Sequence, residues 1–204
     1  MFKFCRKAGI VLILACASYG CFILGNLALR SYRQYMVNLE STTDFASVKE
    51  PNRWEVFFIP GDEATGKVVD LVNRADYSVF VQANTFTSEP LARALIKAHQ
   101  RKVSVKVVMD PVNVYRTDSQ IKALHSASIA IRLEGTKKLA HSKIVIIDDE
   151  VVAIGNFNFS DAAHGRNSEN LMVIHSQDTA HRYWENWENH WREAVPYADY
   201  KPGK

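Results

Sequence analysis

The chain has 204 residues, of which 47% are hydrophobic and 23% charged, enough for one domain with a sizeable core and an appendage. Lys3, Arg6 and Lys7 carry the whole net charge of +3, and the remaining 22 basic residues balance 22 acidic ones, which excludes a surface that is basic throughout. All three cysteines lie at or before Cys21, which excludes a disulfide framework and a thiolate metal site in the rest of the chain.

An apolar segment without charged residues covers residues 9–29, about the 20 residues that a helix needs to cross a bilayer. Basic residues precede it, which favours a cytoplasmic N-terminus and export of the chain that follows. Two interpretations stay open: an uncleaved signal anchor, or a signal peptide cleaved near the small residues Ala15 and Ala17. The chain is accordingly divided into this segment at residues 1–29, a polar stem at residues 30–51 and a folded domain at residues 52–204.

The first half of the domain alternates strands with helices. Residues 54–59 form an apolar strand, and Asp62 is expected to cap the helix that follows. After a second strand at residues 77–83, Ser88 and Pro90 are residue types that are favoured at a helix start. Further strands are predicted at residues 103–109 and 129–133, with a loop at residues 110–117 and a short helix at residues 118–126 between them.

The second half begins with a hairpin and ends with a long helix. Two apolar runs, residues 144–147 and 151–154, are separated by three acidic residues, which is a hairpin spacing. A last strand at residues 170–175 precedes a helix capped by Asp178, whose aromatic residues recur at helical spacing and are expected to be core. Strands that alternate with amphipathic helices predict an α/β domain, with a mixed sheet flanked by helices.

Polar residues suited to phosphate chemistry are concentrated just before and just after the predicted hairpin. His141 and Lys143 project from the same face of a strand that starts at His141, because side chains alternate along a strand. The hairpin then brings Asn156 and Asn158 back towards the strand end that carries His141. Imidazole, with a reference pKa of about 6.5, suits a nucleophile or an acid near neutral pH. Lysine and amide donors stabilise a phosphate as charge develops, so the set predicts attack on a phosphodiester without a metal.

These residues resemble a known motif. The pattern H-x-K-x4-D-x6-G-x-x-N resembles the HKD motif of the phospholipase D superfamily and is formed by His141, Lys143, Asp148, Gly155 and Asn158. The similarity covers the whole predicted catalytic domain and is greatest to the single-motif bacterial endonucleases of that superfamily. One residue departs from the pattern, because Asn156 stands where the family usually has serine directly after the glycine.

The resemblance implies a role for each residue of the site. His141 is the nucleophile, while Lys143, Asn158 and Asn156 hold the phosphoryl oxygens. Glu169 orients the imidazole through its second nitrogen, the usual role of a carboxylate beside a nucleophilic histidine. The resemblance implies neither a metal nor another cofactor.

Three of the predicted residues also have a structural interpretation. Asp148 is assigned to the catalytic set, yet it could instead anchor the hairpin by accepting backbone N–H bonds. Glu169 could be an exposed acid at a strand edge, and Asn158 could be a turn residue. These alternatives stay open at the level of the sequence.

One motif supplies one histidine, whereas the reaction needs one histidine to attack phosphorus and another to protonate the leaving oxygen. The simplest completion is a twofold homodimer that joins two copies of His141 and Lys143 in one pocket. The leading interpretation is a metal-independent phosphodiesterase that acts as a non-specific endonuclease on DNA or RNA.

Two other functions remain as alternatives. One is a phospholipase D-type hydrolase acting on membrane phospholipid, and the other is a weakly active nucleic-acid-binding component of a DNA-transfer apparatus. The apolar N-terminal segment predicts an anchor in a bacterial inner membrane with the enzyme on the periplasmic side. If the segment is cleaved, the enzyme is expected to be periplasmic or secreted.

Overall fold

The described part of the chain is one mixed β-sheet with helices on both faces, as seen in a computed structural model. The structure describes residues 53–60, 63–135, 141–159 and 168–201. The elements in chain order are β1 (Arg53–Ile59), α1 (Ala64–Arg74), β2 (Ser78–Ala83), α2 (Glu89–Gln100), β3 (Ser104–Met109), α3 (Val112–Tyr115), α4 (Ile121–Ser126), β4 (Ala130–Leu133), β5 (Ile144–Ile147), β6 (Val151–Gly155), β7 (Glu169–His175), α5 (Gln177–Glu193), β8 (Val195–Pro196) and a 3-10 turn (Tyr197–Asp199). Across the sheet the order is β1-β7-β6-β5-β2-β3-β4-β8.

Parallel and antiparallel pairing meet in the middle of this sheet. Strands β2, β3 and β4 are parallel to one another, whereas β5, β6, β7 and β1 form an antiparallel half. β5 runs antiparallel to β2, with Gln82 opposite Ile144. The start of β5 therefore lies where β2, β3 and β4 end. We call this side of the sheet the C-terminal edge. In open α/β sheets ligands bind at that edge.

Helices cover both faces, as the alternating pattern predicts. Val81 and Val107 belong to the core under α1 and α2, while Ile146 belongs to a second cluster under α5. Trp187 of α5 is fully buried, stacks on Phe80 with ring centroids 4.8 Å apart and donates its indole N–H to Val81 O at 2.9 Å. The aromatic stripe of the last helix is therefore core, as its spacing predicts.

Several local predictions are refined by the structure. Ser88 caps α2 as predicted, since its Oγ accepts the Leu91 N–H at 3.4 Å. The loop expected at residues 110–117 contains the short helix α3. The assignment of Asp178 as a cap is wrong, because Ser176 Oγ accepts the Thr179 N–H at 3.3 Å and Asp178 lies in the first turn. A carboxylate in that turn still favours the helix through its dipole.

Three predictions fall outside the described residues. They are the cap at Asp62, the apolar segment at residues 9–29 and the polar stem at residues 30–51. Within the described ranges, no helix has both the length and the apolar character needed to cross a membrane. All described residues lie in one compact unit.

A charged cluster ties β1 to α1 and β7. The Glu55 carboxylate accepts hydrogen bonds from Lys67 Nζ at 2.8 and 2.9 Å and from Arg53 Nη2 at 2.7 Å, and its Oε1 lies 3.0 Å from His175 Nε2. These partners, the Lys67 hydrogen bond above all, lower the pKa of Glu55 from 4.5 to about 2. Because the folded pKa is lowered, the stabilisation is complete above about pH 4.5 and is lost as the pH falls towards 2.

Glu55→Gln is expected to lower the free energy of unfolding at pH 7 by roughly 1–2 kcal/mol, since the carboxylate is partly screened by water. The difference from the wild type should shrink in acid, because the wild-type carboxylate is then protonated as well. Urea unfolding at pH 7 and at about pH 3 measures this dependence. Glu63→Gln removes an exposed carboxylate next to α1 and serves as the control, with a change within about 0.5 kcal/mol. A difference that stays constant with pH contradicts the assignment.

Candidate active site

His141 and Lys143 meet at the C-terminal edge, on the extended stretch that leads into β5. Lys143 Nζ lies 3.3 Å from His141 Nδ1 and 3.5 Å from His141 Nε2. The ammonium also donates to the His141 carbonyl oxygen at 2.8 Å. The strand itself begins at Ile144, so the strand start expected at His141 is wrong by three residues. The side-by-side placement of imidazole and ammonium is nevertheless present, with His141 exposed to solvent.

Lys143 is buried and has a carboxylate in its electrostatic environment. Only 5% of the residue is exposed, and Glu169, the first residue of β7, is 7% exposed. Burial lowers the pKa of the Lys143 ammonium, and the negative charge of Glu169 raises it in part. A buried lysine is stabilised by such a partner, because an uncompensated charge away from water is costly. The association of Glu169 with Lys143 is a feature that reasoning from the sequence missed.

The register of the antiparallel half explains how these residues come together. Ile144 lies opposite Ile154 in the β5–β6 pair, and Gly155 lies opposite Leu171 in the β6–β7 pair. The residues just before β5, the end of β6 and the start of β7 are therefore neighbours at one edge. The sequence signal for this arrangement is the pair of short apolar runs, which predicts the hairpin but not the register with β7.

Asn156, the residue that departs from the family pattern, is bound to the neighbouring strand. Its Oδ1 accepts the backbone N–H of Asn170 at 2.7 Å. A Cβ placed on Gly155 would lie 2.1 Å from the Asn170 carbonyl oxygen, so the two strands approach closely at this point. The Asn156 side-chain oxygen accepts this backbone bond, and its amide nitrogen is the side-chain group that can donate a hydrogen bond.

Asn158 lies on a segment that is anchored by two phenylalanines. Phe157 and Phe159 are buried, and Phe159 O accepts the N–H groups of Thr87 and Ser88 at 2.8 and 2.9 Å. Asn158 is half-buried, and its Oδ1 is buried without a hydrogen-bond partner among the described residues. The segment therefore fixes Asn158 beside the loop that follows β2.

Asp148 does not join this group. It lies beyond the far end of β5, about 13 Å of strand away from the start of β5. Its Oδ2 accepts the Asp76 N–H at 2.9 Å, and its Oδ1 accepts the N–H groups of Tyr77 and Ser78 at 2.8 and 2.7 Å. Its φ of 55° is a left-handed conformation that aspartate tolerates. These bonds anchor the hairpin to the start of β2, as the structural interpretation of Asp148 expects, and the assignment of Asp148 to the catalytic set stays a prediction.

Asp148→Asn is expected to lower the free energy of unfolding by about 2 kcal/mol, because an amide N–H replaces one acceptor and faces a backbone donor. The folded fraction of the variant should hydrolyse phosphodiesters at close to the wild-type rate. Chemical denaturation and the rate per folded molecule measure the two effects. Asp149→Asn, at the next turn residue with the same φ of 55°, is the control for the turn itself. A large loss of rate without loss of stability would support the assignment of Asp148 to the catalytic set.

A metal centre is not seen in the described part of the chain, where no group of three or more His, Cys, Asp or Glu side chains is placed to hold an ion. The groups gathered at the C-terminal edge are instead an imidazole, an ammonium, a carboxylate and two amides. Such a set can attack phosphorus and stabilise the negative oxygens around it.

Residues 68–191, more than half of the chain, match the family described as "Cardiolipin synthase, PLD-like domain". The chain belongs to the phospholipase D superfamily. It is a phosphodiester hydrolase of that superfamily, as the HKD-like motif indicates. The membership of this superfamily that the motif predicts is confirmed.

Relatives and solved structures agree with the assignment to the phospholipase D superfamily. A phospholipase D of Rickettsia conorii is 33% identical over 182 residues, which cover 82% of this chain and 90% of that protein. A mitochondrial cardiolipin hydrolase of Xenopus tropicalis is 31% identical over 144 residues, covering 70% of this chain and 69% of that protein. The phospholipase D family member Nuc from Salmonella typhimurium has a TM-score of 0.66 at 31% identity, covering 72% of this chain and 99% of that chain. The mixed α/β sheet with flanking helices is thus the fold of this superfamily.

Proposed function

We propose that this phosphodiesterase is a metal-independent, homodimeric endonuclease that cleaves DNA or RNA with little sequence preference. The observation that carries the proposal is the contact between His141 and the buried Lys143 at an open edge of the sheet. An exposed imidazole beside a fixed ammonium suits attack on a polyanionic substrate that stays in solvent. The similarity to Nuc over nearly all of that chain and the resemblance to single-motif endonucleases support this substrate class.

The reaction proceeds in two displacements. A ring nitrogen of His141 attacks phosphorus and forms a P–N bond, and the P–O bond to the leaving group breaks. The partner subunit's His141, in its protonated form, gives its proton to the leaving oxygen. Water then attacks the phosphohistidine, forms a P–O bond and loses a proton to the partner subunit's His141. The P–N bond breaks, so the phosphate product leaves and the first imidazole is restored.

The neighbouring groups of the site stabilise these steps. Lys143 and the amide nitrogens of Asn156 and Asn158 hold the equatorial oxygens, where negative charge builds. Glu169 balances the charge of Lys143 and orients the imidazole. Two copies of this set are needed, because each chain brings one histidine with the motif.

A second candidate is hydrolysis of membrane phospholipid. It is favoured by the relatives named phospholipase D and mitochondrial cardiolipin hydrolase and by the apolar segment predicted at residues 9–29. That segment would hold the enzyme at a bacterial inner membrane on the periplasmic side, where lipid headgroups are within reach. The chemistry at phosphorus is the same for both substrates.

One experiment separates the candidates. The purified full-length protein is incubated in chelator with plasmid DNA, a single-stranded oligonucleotide, RNA and vesicles that contain labelled cardiolipin, with His141→Ala as the blank. Cleavage of nucleic acid by the wild type alone supports the proposal, whereas release of lipid headgroups alone assigns the second function. Binding of nucleic acid without cleavage of any substrate indicates a DNA-transfer component. Loss of activity in chelator with rescue by a divalent ion contradicts metal independence.

A further inference from the structure

Three polar side chains meet beside α5 at the C-terminal edge of the sheet. Glu134 follows β4, Gln82 is the last residue but one of β2, and His190 belongs to α5. Gln82 Nε2 donates to Glu134 Oε1 at 3.1 Å, and His190 Nδ1 lies 2.7 Å from the same oxygen. Because an ionised carboxylate only accepts hydrogen bonds, both nitrogens are donors. These three residues, called the Glu134 cluster, join β2, the end of β4 and α5.

The Glu134 cluster is buried although it contains a carboxylate. Gln82 and Glu134 are 1% and 4% exposed, and His190 is half-buried. Gln82 Oε1 is buried without a hydrogen-bond partner among the described residues, so the bond to Glu134 orients the amide. Desolvation of a buried carboxylate offsets most of what its partners contribute to stability. Net stability therefore does not explain the cluster, whereas the need for a fixed geometry at this place does.

The two ends of the segment that carries the reacting groups meet at Gln82. Residues 135–143, which contain the imidazole and the ammonium of the site, connect Glu134 to Ile144. At the start of this segment, the Gln82 side chain binds Glu134, whose backbone N–H also donates to Met109 O at 2.9 Å. At its end, Gln82 lies opposite Ile144 in the β2–β5 pair. One residue of β2 thus holds both ends of the segment.

We infer that the Glu134 cluster positions His141 for attack on phosphorus by fixing the ends of the segment that carries it. The inference rests on the proposed role of His141 as the nucleophile, and the members of the cluster are positioning residues that act through His141. His190 holds the carboxylate from the side of α5, and Gln82 connects that carboxylate to β5. Attack requires the two reacting atoms to be about 3–3.5 Å apart, and a misplacement of about 1 Å can lower the rate about 100-fold.

Two substitutions of His190 separate the loss of the hydrogen bond from the loss of the ring. His190→Leu removes the donor and is expected to lower kcat about 10-fold or more with KM within about twofold, because the groups that bind the substrate stay in place. His190→Asn keeps an amide N–H near the position of Nδ1 and should retain kcat within about threefold. His181→Leu removes a histidine of the same helix that pairs with Asp149 instead and should behave as wild type.

Gln82→Met is a second variant, which keeps the side-chain volume and the β2–β5 backbone pairing but removes the bond to Glu134. It should lower kcat in the same way as His190→Leu.

The full-length protein in detergent micelles is assayed with bis(p-nitrophenyl) phosphate, a small phosphodiester that does not depend on whether the larger substrate is nucleic acid or lipid. Rates are expressed per folded molecule, with folding checked by circular dichroism. Wild-type kcat in both His190→Leu and Gln82→Met overturns the inference. A loss confined to KM overturns it as well, since the cluster would then act in substrate binding, and so does an equal loss in His190→Asn and His190→Leu. Retention of the wild-type rate by His141→Ala instead refutes the proposed nucleophile, and the inference that rests on it.

Discussion

His141→Ala is expected to reduce phosphodiester hydrolysis by about 10⁴-fold or more, because the variant lacks both the nucleophile and the acid of the proposed dimeric site. The fold should be unaffected. The imidazole is exposed, and the bond from Lys143 Nζ to the residue 141 carbonyl survives the substitution. Initial rates on the preferred substrate, together with the thermal unfolding midpoint, measure the two effects. His181→Ala removes another exposed histidine, which pairs with Asp149, and should retain the wild-type rate.

Subunit mixing turns this variant into a test of the shared site. Wild-type and His141→Ala chains are mixed in varied ratios, dissociated and allowed to reassociate at random. If one site needs a histidine from each chain, activity follows the square of the wild-type fraction, since mixed dimers are inactive. A linear dependence, or a near-normal rate for His141→Ala alone, would contradict the proposed mechanism.

Gly155→Ala is expected to lower the free energy of unfolding by about 3 kcal/mol or more, because overpacking of a rigid site forces the backbone to move. The new Cβ would lie 2.1 Å from the Asn170 carbonyl oxygen and 3.1 Å from Leu171 Cα. Both contacts are with backbone, so β6 and β7 must separate. Thermal unfolding should show a midpoint roughly 6–12 °C lower for a domain of this size.

The same substitution should also lower the activity of the molecules that remain folded. Separation of the strands breaks the bond between Asn156 Oδ1 and the Asn170 N–H and shifts Glu169 relative to Lys143. Gly135→Ala is the control, because a Cβ there would meet no atom of the described residues within 4 Å. Equal stability of the two alanine variants would show that β6 and β7 are far enough apart at Gly155 to hold a Cβ without moving.

Most of the sheet could be predicted from the sequence because its strands are short apolar runs bounded by turn residues. The strand β8 could not, since Val195–Pro196 is too short to show a period. Ser176 and Asp178 are both suitable caps within two residues of each other. Local sequence does not decide where the extended backbone ends, and the structure places that point at Ser176.

The candidate site was predictable where it depends on local spacing and not where it depends on register. His141 and Lys143 are two residues apart, so local spacing keeps them close although the strand begins only at Ile144. The backbone donors that Asp148 binds, from Asp76 to Ser78, lie about seventy positions earlier. The electrostatic effect of Glu169 on Lys143 likewise requires that β5, β6 and β7 are paired in their final register. No short-range sequence pattern specifies that register.

The pairing of β1 with β7 sets the order in which a newly made chain can become active. Arg53 pairs with His175 and Ile59 with Glu169. β1 therefore cannot take its place in the sheet until β7 has been synthesised. Synthesis proceeds at about 5–20 residues per second, and contacts between distant segments form late. A ribosome-bound chain thus carries His141 before Glu169 has reached its place in the sheet. The candidate site is therefore expected to be incomplete until β7 has been synthesised and has paired with β6.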